Sequence, residues 1–421
     1  DVYKRQAISE DDLKKPAFYS VDKYRNDCRS NKCYYNTLIS EAPKVCINDV
    51  QISAERLVLG SACMSCGNVN MDTANFCVQC GKPLYSTKKN TGELYYMKEI
   101  VYLNSIAQES TIDKKRRNKA LCSIGHMYRY GEGVEQDYTK ALEWYNKAAN
   151  AGNAVAMNNI GYMYDYGKGV EQDYTKALEW YNKAANAGNS AAMNNIGYMY
   201  EFSEGVEQDY SKALEWYNKA VNAGNATAMC NIGYIYEFSK GVEQDYTKAL
   251  EWFKKAANAG NAAAMYNIGY MYEYGKGVEQ DYSKALEWYN KAANAGDSDA
   301  MYNIGYMYDY GKGVEQDYSK ALEWYNKAAN AGNAAAMNDI GRMYYYGKGV
   351  EQDYSKALEW LKKAADAGNS AAMNNIGYMY EYGKGVEQDY TKALEWYTRS
   401  YNSGYKDASK GVERIKELLQ V

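Results

Sequence analysis

The stretch GVEQDYTKALEWYNKAANAGNAVAMNNIGYMYDYGK, residues 133–168, decides the fold because it returns. Its opening Gly-Val stands at Gly133, Gly169, Gly205, Gly241, Gly277, Gly313, Gly349 and Gly385, always 36 residues apart with no insertion or deletion. A fixed period of this size marks stacked supersecondary units, each burying its apolar face on its neighbours. Two helices are predicted per unit. Asp137 suits an N-cap for Tyr138 to Asn150, and Gly152 supplies a left-handed stop. Tyr138, Ala141, Leu142, Tyr145, Ala148 and Ala149 form its apolar stripe, with Glu143 and Lys147 as an i,i+4 pair outside. Asn153 caps a second helix, Ala154 to Tyr166, whose core stripe is Ala156, Met157, Ile160, Gly161 and Tyr164.

Gly161 recurs at Gly125, Gly197, Gly233, Gly269, Gly305, Gly341 and Gly377. A mid-helix Gly costs about 1 kcal/mol relative to Ala, so its repetition implies a neighbouring helix too close for any side chain. No copy contains Pro, which suits unbroken helices.

The pattern A-x-x-x-I-G-x-M-Y-x-x-G followed by G-V-x-x-D-Y-x-K-A-L-x-W-Y-x-K-A-A-x-x-G resembles the Sel-one-like repeat, a relative of the tetratricopeptide repeat, over roughly residues 118–404. The resemblance implies an all-α, right-handed α-solenoid of eight 36-residue helix pairs. It also implies an adaptor or scaffold that holds protein partners in a groove.

Composition separates this region from what precedes it. All eight Trp lie in the repeats, all three Pro lie before them, and seven of nine Cys lie between Cys28 and Cys80. Residues 1–118 carry a balance of +4 and residues 119–421 one of −8. An acidic solenoid argues against a duplex-binding groove. No apolar run approaches the ~18 residues of a membrane span, no secretory signal is visible, and a cytoplasmic location is expected. The opening DVYKRQ resembles translated adapter sequence, so the native N-terminus is expected upstream.

Five segments follow: a Cys-containing N-terminal segment (1–60), a zinc ribbon (61–85), a linker with a capping helix (86–117), the solenoid (118–404) and a C-terminal capping helix (405–421). In the ribbon, Cys63 and Cys66 form one C-x-x-C knuckle and Cys77 and Cys80 another, with Gly67 and Gly81 after them. Four thiolates satisfy one tetrahedral Zn²⁺ and leave no open position, so the metal is structural. The motif C-x-x-C-G … F-C-x-x-C-G-x-x-L resembles the short zinc-ribbon module at the start of many bacterial proteins. Cys28, Cys33 and Cys46 give three thiols, which do not close a structural site. Leu94, Met97, Ile100, Val101 and Ile106 suggest an amphipathic helix capping the first repeat, and Lys114-Lys115-Arg116-Arg117 reads as a solvated basic face. In the tail Ala408 keeps register with Ala156, while Glu413 replaces the Gly; Val412, Ile415 and Leu419 face inward.

Nothing here carries catalysis. His126 is the only His, occupying a Tyr position, and no P-loop, dinucleotide fingerprint or G-x-S-x-G is present. The chain reads as a non-enzyme without a small-molecule substrate. By analogy with tetratricopeptide repeats, the second helix lines the concave side, and three ladders lie off its core stripe. One is Asn159, Asn195, Asn231, Asn267 and Asn303, with Asp339 the exception. Another is Tyr162, Tyr198, Tyr234, Tyr270 and Tyr306, broken by Arg342; the third is Asp165, Glu201, Glu237, Glu273 and Asp309, broken by Tyr345. Tyr266 and Tyr302 replace Asn158 on the same face.

Helices stacked roughly 8–10 Å apart match about three residues of extended chain. Asn can pair with peptide groups, Tyr offers rigid contact area, and the acids favour Lys or Arg on the ligand. A basic protein segment is therefore the expected partner, with nucleic acid not expected. The opposing reading has the Asn side chains bonding within the solenoid and the Tyr rings stacking on one another. A different class of function is a ribbon-led nucleic-acid-associated factor whose solenoid recruits partners. A secreted, cysteine-rich branch of the family staples each repeat with a Cys pair; here the repeats hold only Cys122 and Cys230, so that reading fails.

Overall fold

The computed structural model describes residues 60–62, 69–71, 103–104, 106–108 and 113–420. Gly60–Ala62 (β1) and Val69–Met71 (β2) pair antiparallel, with Ala62 opposite Val69. Everything from Lys114 onward is helix pairs in 36-residue steps. The contacts divide the chain into a unit ending at Ala228 and a unit beginning at Met229.

The first unit holds α1 (Lys114–Tyr130), α2 (Tyr138–Asn150), α3 (Ala154–Tyr166), α4 (Tyr174–Asn186), α5 (Ser190–Phe202) and α6 (Tyr210–Asn222). The unit boundary falls inside α7 (Ala226–Glu237). The second unit continues with α8 (Tyr246–Asn258), α9 (Ala262–Tyr274), α10 (Tyr282–Asn294), α11 (Ser298–Tyr310) and α12 (Tyr318–Asn330). It ends with α13 (Ala334–Tyr346), α14 (Tyr354–Asp366), α15 (Ser370–Tyr382), α16 (Tyr390–Asn402) and α17 (Ala408–Leu419).

The caps explain the boundaries. Asp137 accepts from the backbone N–H of Lys140 at 2.9 Å, and that bond holds its carboxyl below the ordinary range. Asn153 accepts from the N–H of Ala156 at 3.0 Å, and Gly167 ends α3 in the left-handed conformation. Two copies put Ser there: Ser203 and Ser239 adopt φ of 60° and 58°. The bend into the next repeat is pinned by one side chain. Gln172 Nε2 donates to the Asp165 carbonyl at 2.7 Å, and the Asp173 N–H donates to the Tyr164 carbonyl at 2.9 Å.

The core is built between repeats as much as within them. Ala141, Tyr145, Ala148, Ala149, Ala156, Ile160 and Met163 form one buried cluster, and the same pattern repeats at Ala285 to Met307. The helix Gly seats the aromatic ring of the following repeat. A Cβ on Gly161 would lie 2.6 Å from Tyr181 Cδ1, and one on Gly269 would lie 2.7 Å from Tyr289. The expected close approach is thus made by a ring. Phe253 fills the seat at Gly233 and Leu361 the seat at Gly341.

The ends depart from this pattern. Leu103 and Ala107 pack with Ile124 and Met127 of α1, covering the first repeat's apolar face; the rest of the proposed capping helix lies outside the described residues. At the other end Tyr405 replaces the Asn cap, and α17 starts at Ala408, whose preceding Asp407 makes no side-chain cap bond. Val412, Ile415 and Leu419 pack with Tyr397 and Ala393. Gly411, two residues before the Glu413 that takes the repeat's Gly position, abuts the Tyr397 ring at 2.8 Å from a notional Cβ.

Candidate protein-binding face

The three ladders occupy the second helices, but burial corrects the expectation that they lie off the core. Asp165, Glu201, Glu237, Glu273 and Asp309 are all buried, and so are Asn159, Asn231, Asn267 and Asn303, while Asn195 is half-buried. The reason is angular. Position 165 lies one turn beyond Gly161 and so shares the face that receives the next repeat's ring. A helix flanked on several sides buries more than one stripe.

Every one of these carboxylates but Glu237 meets that ring's hydroxyl. Tyr217 donates to Glu201 at 2.7 Å and Tyr289 to Glu273 at 2.7 Å. Tyr181 donates to Asp165 at 3.2 Å, Tyr325 to Asp309 at 3.4 Å and Tyr397 to Glu381 at 2.6 Å. Two junctions lack the hydroxyl. Phe253 takes the ring position sixteen residues after Glu237, whose counter-ion is Lys276 at 3.4 Å, and Leu361 follows the repeat where Tyr345 replaces the acid. Burial raises the carboxyls of Glu237 and Glu273, opposed by Lys276 in the first and by the Tyr289 hydroxyl and Lys312 in the second.

The amides are likewise engaged, with the preceding repeat's side chains. Asn195 Nδ2 donates to Asn158 Oδ1 at 3.1 Å, Asn267 to the Tyr234 hydroxyl at 2.7 Å and Asn303 to the Tyr266 hydroxyl at 3.4 Å. Asn159 accepts from Arg129 at 3.3 Å. In the seventh repeat Asp339 takes over: it accepts from the Tyr302 hydroxyl at 3.0 Å and pairs with Arg342 at 3.0 Å. These are bonds within each unit, so Asn159, Asn195, Asn267 and Asn303 are paired inside the solenoid.

The Tyr ladder is mixed. Tyr198, Tyr234 and Tyr306 are buried, while Tyr162 and Tyr270 are half-buried; of the two that replace Asn158, Tyr266 is buried and Tyr302 half-buried. Each ladder ring meets the aromatic four residues later: Tyr162 stacks on Tyr166 at 4.2 Å between centroids, while Tyr270–Tyr274 at 4.6 Å and Tyr306–Tyr310 at 4.5 Å are tilted. Tyr345, half-buried, meets Tyr378 edge-on at 6.3 Å. Sequence reasoning missed the outer member of these pairs. Tyr130, Tyr166, Phe202, Phe238, Tyr274, Tyr310, Tyr346 and Tyr382 put an aromatic ring at one position in all eight copies. Tyr130, Tyr274, Tyr346 and Tyr382 are exposed by 37%, 36%, 44% and 42%, while Tyr166, Phe202, Phe238 and Tyr310 are half-buried. The signal was available: a ring kept aromatic at the solvent-facing end of every copy is hard to explain by packing alone.

The ribbon cysteines Cys63, Cys66, Cys77 and Cys80 lie outside the described residues. The pairing of β1 with β2 brings together the residues on either side of Cys63, Cys66 and Gly67.

A family model for the Sel1 repeat matches eight consecutive segments, from 118–153 and 154–189 through 370–405. The chain belongs to the Sel1 repeat family. The Sel1 boundaries fall so that each segment opens on a second helix and closes after the following first helix, the pair joined by the Gly seat and ring. Among solved structures, the Sel1 repeat protein of Oxalobacter formigenes is 37% identical, covering 58% of this chain and 99% of that one, with a TM-score of 0.53. The protective antigen c5321 of uropathogenic Escherichia coli, which displays an SLR fold, is 34% identical, covers 77% of this chain and 68% of that one, and has a TM-score of 0.55. No curated protein matches the sequence. Sel1 repeat solenoids are protein-interaction scaffolds, and no helix among the described residues is long and apolar enough to cross a membrane.

Proposed function

We propose that the chain is a non-enzymatic cytoplasmic adaptor that holds a segment of another protein against the second helices of its Sel1 repeats. The observation that carries this is the recurring aromatic position at the end of the second helices, exposed at Tyr130, Tyr274, Tyr346 and Tyr382, while most of the acids and amides beneath are bonded within the solenoid. Tyr rings give large contact area at low entropic cost, which is what a binding surface needs. The preference for a basic ligand, read from the acid ladder, loses its support because those carboxylates are buried and bonded. Photo-crosslinkers at Tyr274, Tyr346 and Tyr382 should capture protein that a crosslinker at Lys255, on a first helix, does not. Equal capture from both faces by folded protein refutes the reading.

The reading includes one structural zinc ion on Cys63, Cys66, Cys77 and Cys80, supported by the two C-x-x-C-G knuckles and the short β1–β2 ladder flanking the first. Metal analysis of reduced protein should give one zinc per chain, lost in Cys77→Ser with helical content nearly unchanged. No bound metal in the reduced wild type refutes it.

A further inference from the structure

The second helices of the second unit reverse their apparent charge when burial is taken into account. Their acids lie deep and their cations lie outermost. In the Lys276–Glu237 pair the side chains are 28% and 5% exposed, and in Lys312–Glu273 they are 28% and 2% exposed. Arg414 holds Glu381 with two bonds of 2.6 Å, and there the cation is 37% exposed against 4%. Each of these lysines also sits over a ladder ring: Lys276 over Tyr270 and Lys312 over Tyr306, both at 4.8 Å. An ammonium and an aromatic pair thus occur together in two successive repeats of this unit.

The sequence shows that the row belongs to this unit. The same position is Lys240, Lys276, Lys312, Lys348 and Lys384 there, but Glu132, Lys168 and Glu204 in the first unit. An ammonium has three donors, and the one acid beneath it does not use them all. A carboxylate arriving from solvent would meet an ammonium at roughly 3 Å and the buried carboxylate at about twice that distance; Coulomb energy falls as the inverse of distance, so attraction wins. Burial, by holding the Glu237 and Glu273 carboxyls above their ordinary range, weakens the opposing repulsion further.

We infer that the second unit docks an acidic, extended protein segment, whose carboxylates pair with Lys276, Lys312 and Lys348 while its backbone lies on the Tyr270–Tyr274 and Tyr306–Tyr310 pairs. The inference rests on the adaptor reading and names the chemistry of its partner. The spacing selects a conformation. Neighbouring helices stack about 8–10 Å apart, and a polyproline-II segment advances about 9 Å per three-residue turn with its backbone unpaired. A carboxylate at every third residue would then meet one lysine per repeat, with the intervening carbonyls open to donors.

The test is fluorescence anisotropy on the full chain with three labelled peptides: Glu-Pro-Ala repeats, Lys-Pro-Ala repeats, and a peptide of the first composition with its Glu residues contiguous. The Glu-Pro-Ala peptide should bind about tenfold tighter than the Lys-Pro-Ala peptide at low salt, with the gap narrowing at high salt, and tighter than the contiguous one. Lys276→Gln, Lys312→Gln and Lys348→Gln together should cost about tenfold, and the three Arg replacements should restore binding. Circular dichroism confirms that each variant is folded. Equal or tighter binding of the Lys peptide, or Gln variants that bind like wild type, overturns the inference. If a Lys or contiguous peptide binds best and Tyr270→Ala with Tyr306→Ala abolishes it, the adaptor reading stands and the acidic ligand falls. Absence of binding by all three also overturns the acidic ligand, and the crosslinking experiment then decides the adaptor reading separately.

Discussion

Removing a single hydroxyl, by Tyr289→Phe, should loosen the junction between α9 and α10 without creating a cavity. The hydroxyl donates at 2.7 Å to Glu273, which also meets the Tyr274 hydroxyl and has Lys312 at 3.7 Å. Both Tyr289 and Glu273 are buried, so water cannot replace the lost donor. A hydrogen bond to a charged group contributes about 1.5–3 kcal/mol, and stranding a buried acceptor falls in the same range. Protonation of Glu273 limits the loss, because burial already raises that carboxyl. A cost of about 2 kcal/mol at neutral pH follows, shrinking as the solution is acidified.

Repeat arrays do not unfold as one unit, so a global midpoint dilutes the effect. Hydrogen exchange read by mass spectrometry resolves it: amides of α9 and α10 should exchange about 30-fold faster, with those of α15 and α16 unchanged. The chain contains its own counter-experiment at Glu237, where the ring seated on Gly233 is Phe253 and carries no hydroxyl. Phe253→Tyr should supply the missing donor and slow exchange around α8. Unchanged exchange in Tyr289→Phe, or equal acceleration throughout, would show that the Tyr–carboxylate contacts do not bear on the junctions.

Three further outcomes are expected. Glu237 has a carboxyl raised above its ordinary 4.5 by burial, so its favourable contribution is complete below that value and is lost as pH rises through the folded value. Glu237→Gln should therefore exceed wild type in stability near neutrality and lose that advantage toward pH 4.5; urea midpoints across that window check the sign. Gly269→Ala places a methyl 2.7 Å from the Tyr289 ring and should cost about 1–3 kcal/mol, read from local exchange at α9 and α10. Ser239→Gly relieves a left-handed φ of 58° and should gain about 1 kcal/mol, less whatever the Ser239 hydroxyl's 3.0 Å bond to the Val242 carbonyl contributes; thermal unfolding measures the net change.

The helices were legible because period, caps and stops agree. Asp137, Asn153, Gly152 and Gly167 all mark ends that the structure keeps. The seat at Gly161 was legible as a close approach, though not as a ring. The acids were misread because a solvent-facing carboxylate and a buried one bonded to the next repeat look alike in a single helix. Their partner lies 16 residues later, across a bend, where stripe arguments do not reach. A trace was present all the same: in the one copy where Leu361 replaces the ring, Tyr345 replaces the acid. The exposed rings of Tyr274, Tyr346 and Tyr382 were passed over because they sit at a helix end, next to a Gly stop that drew the reading.

The seat and the ring lie on opposite edges of the same 36-residue copy, Gly269 on α9 and Phe253 on α8, and each is completed only by an adjacent copy. A copy inserted or deleted whole therefore meets the same two edges it left. Tyr, Phe and Leu all occupy the seat, so joints between diverged copies still close. Length can then change by recombination between near-identical stretches of gene without a new core being invented. Because each copy in the second unit also carries its own lysine, and all but the one with Arg342 an aromatic pair, a change in copy number there would lengthen or shorten the docked segment by one turn at a time.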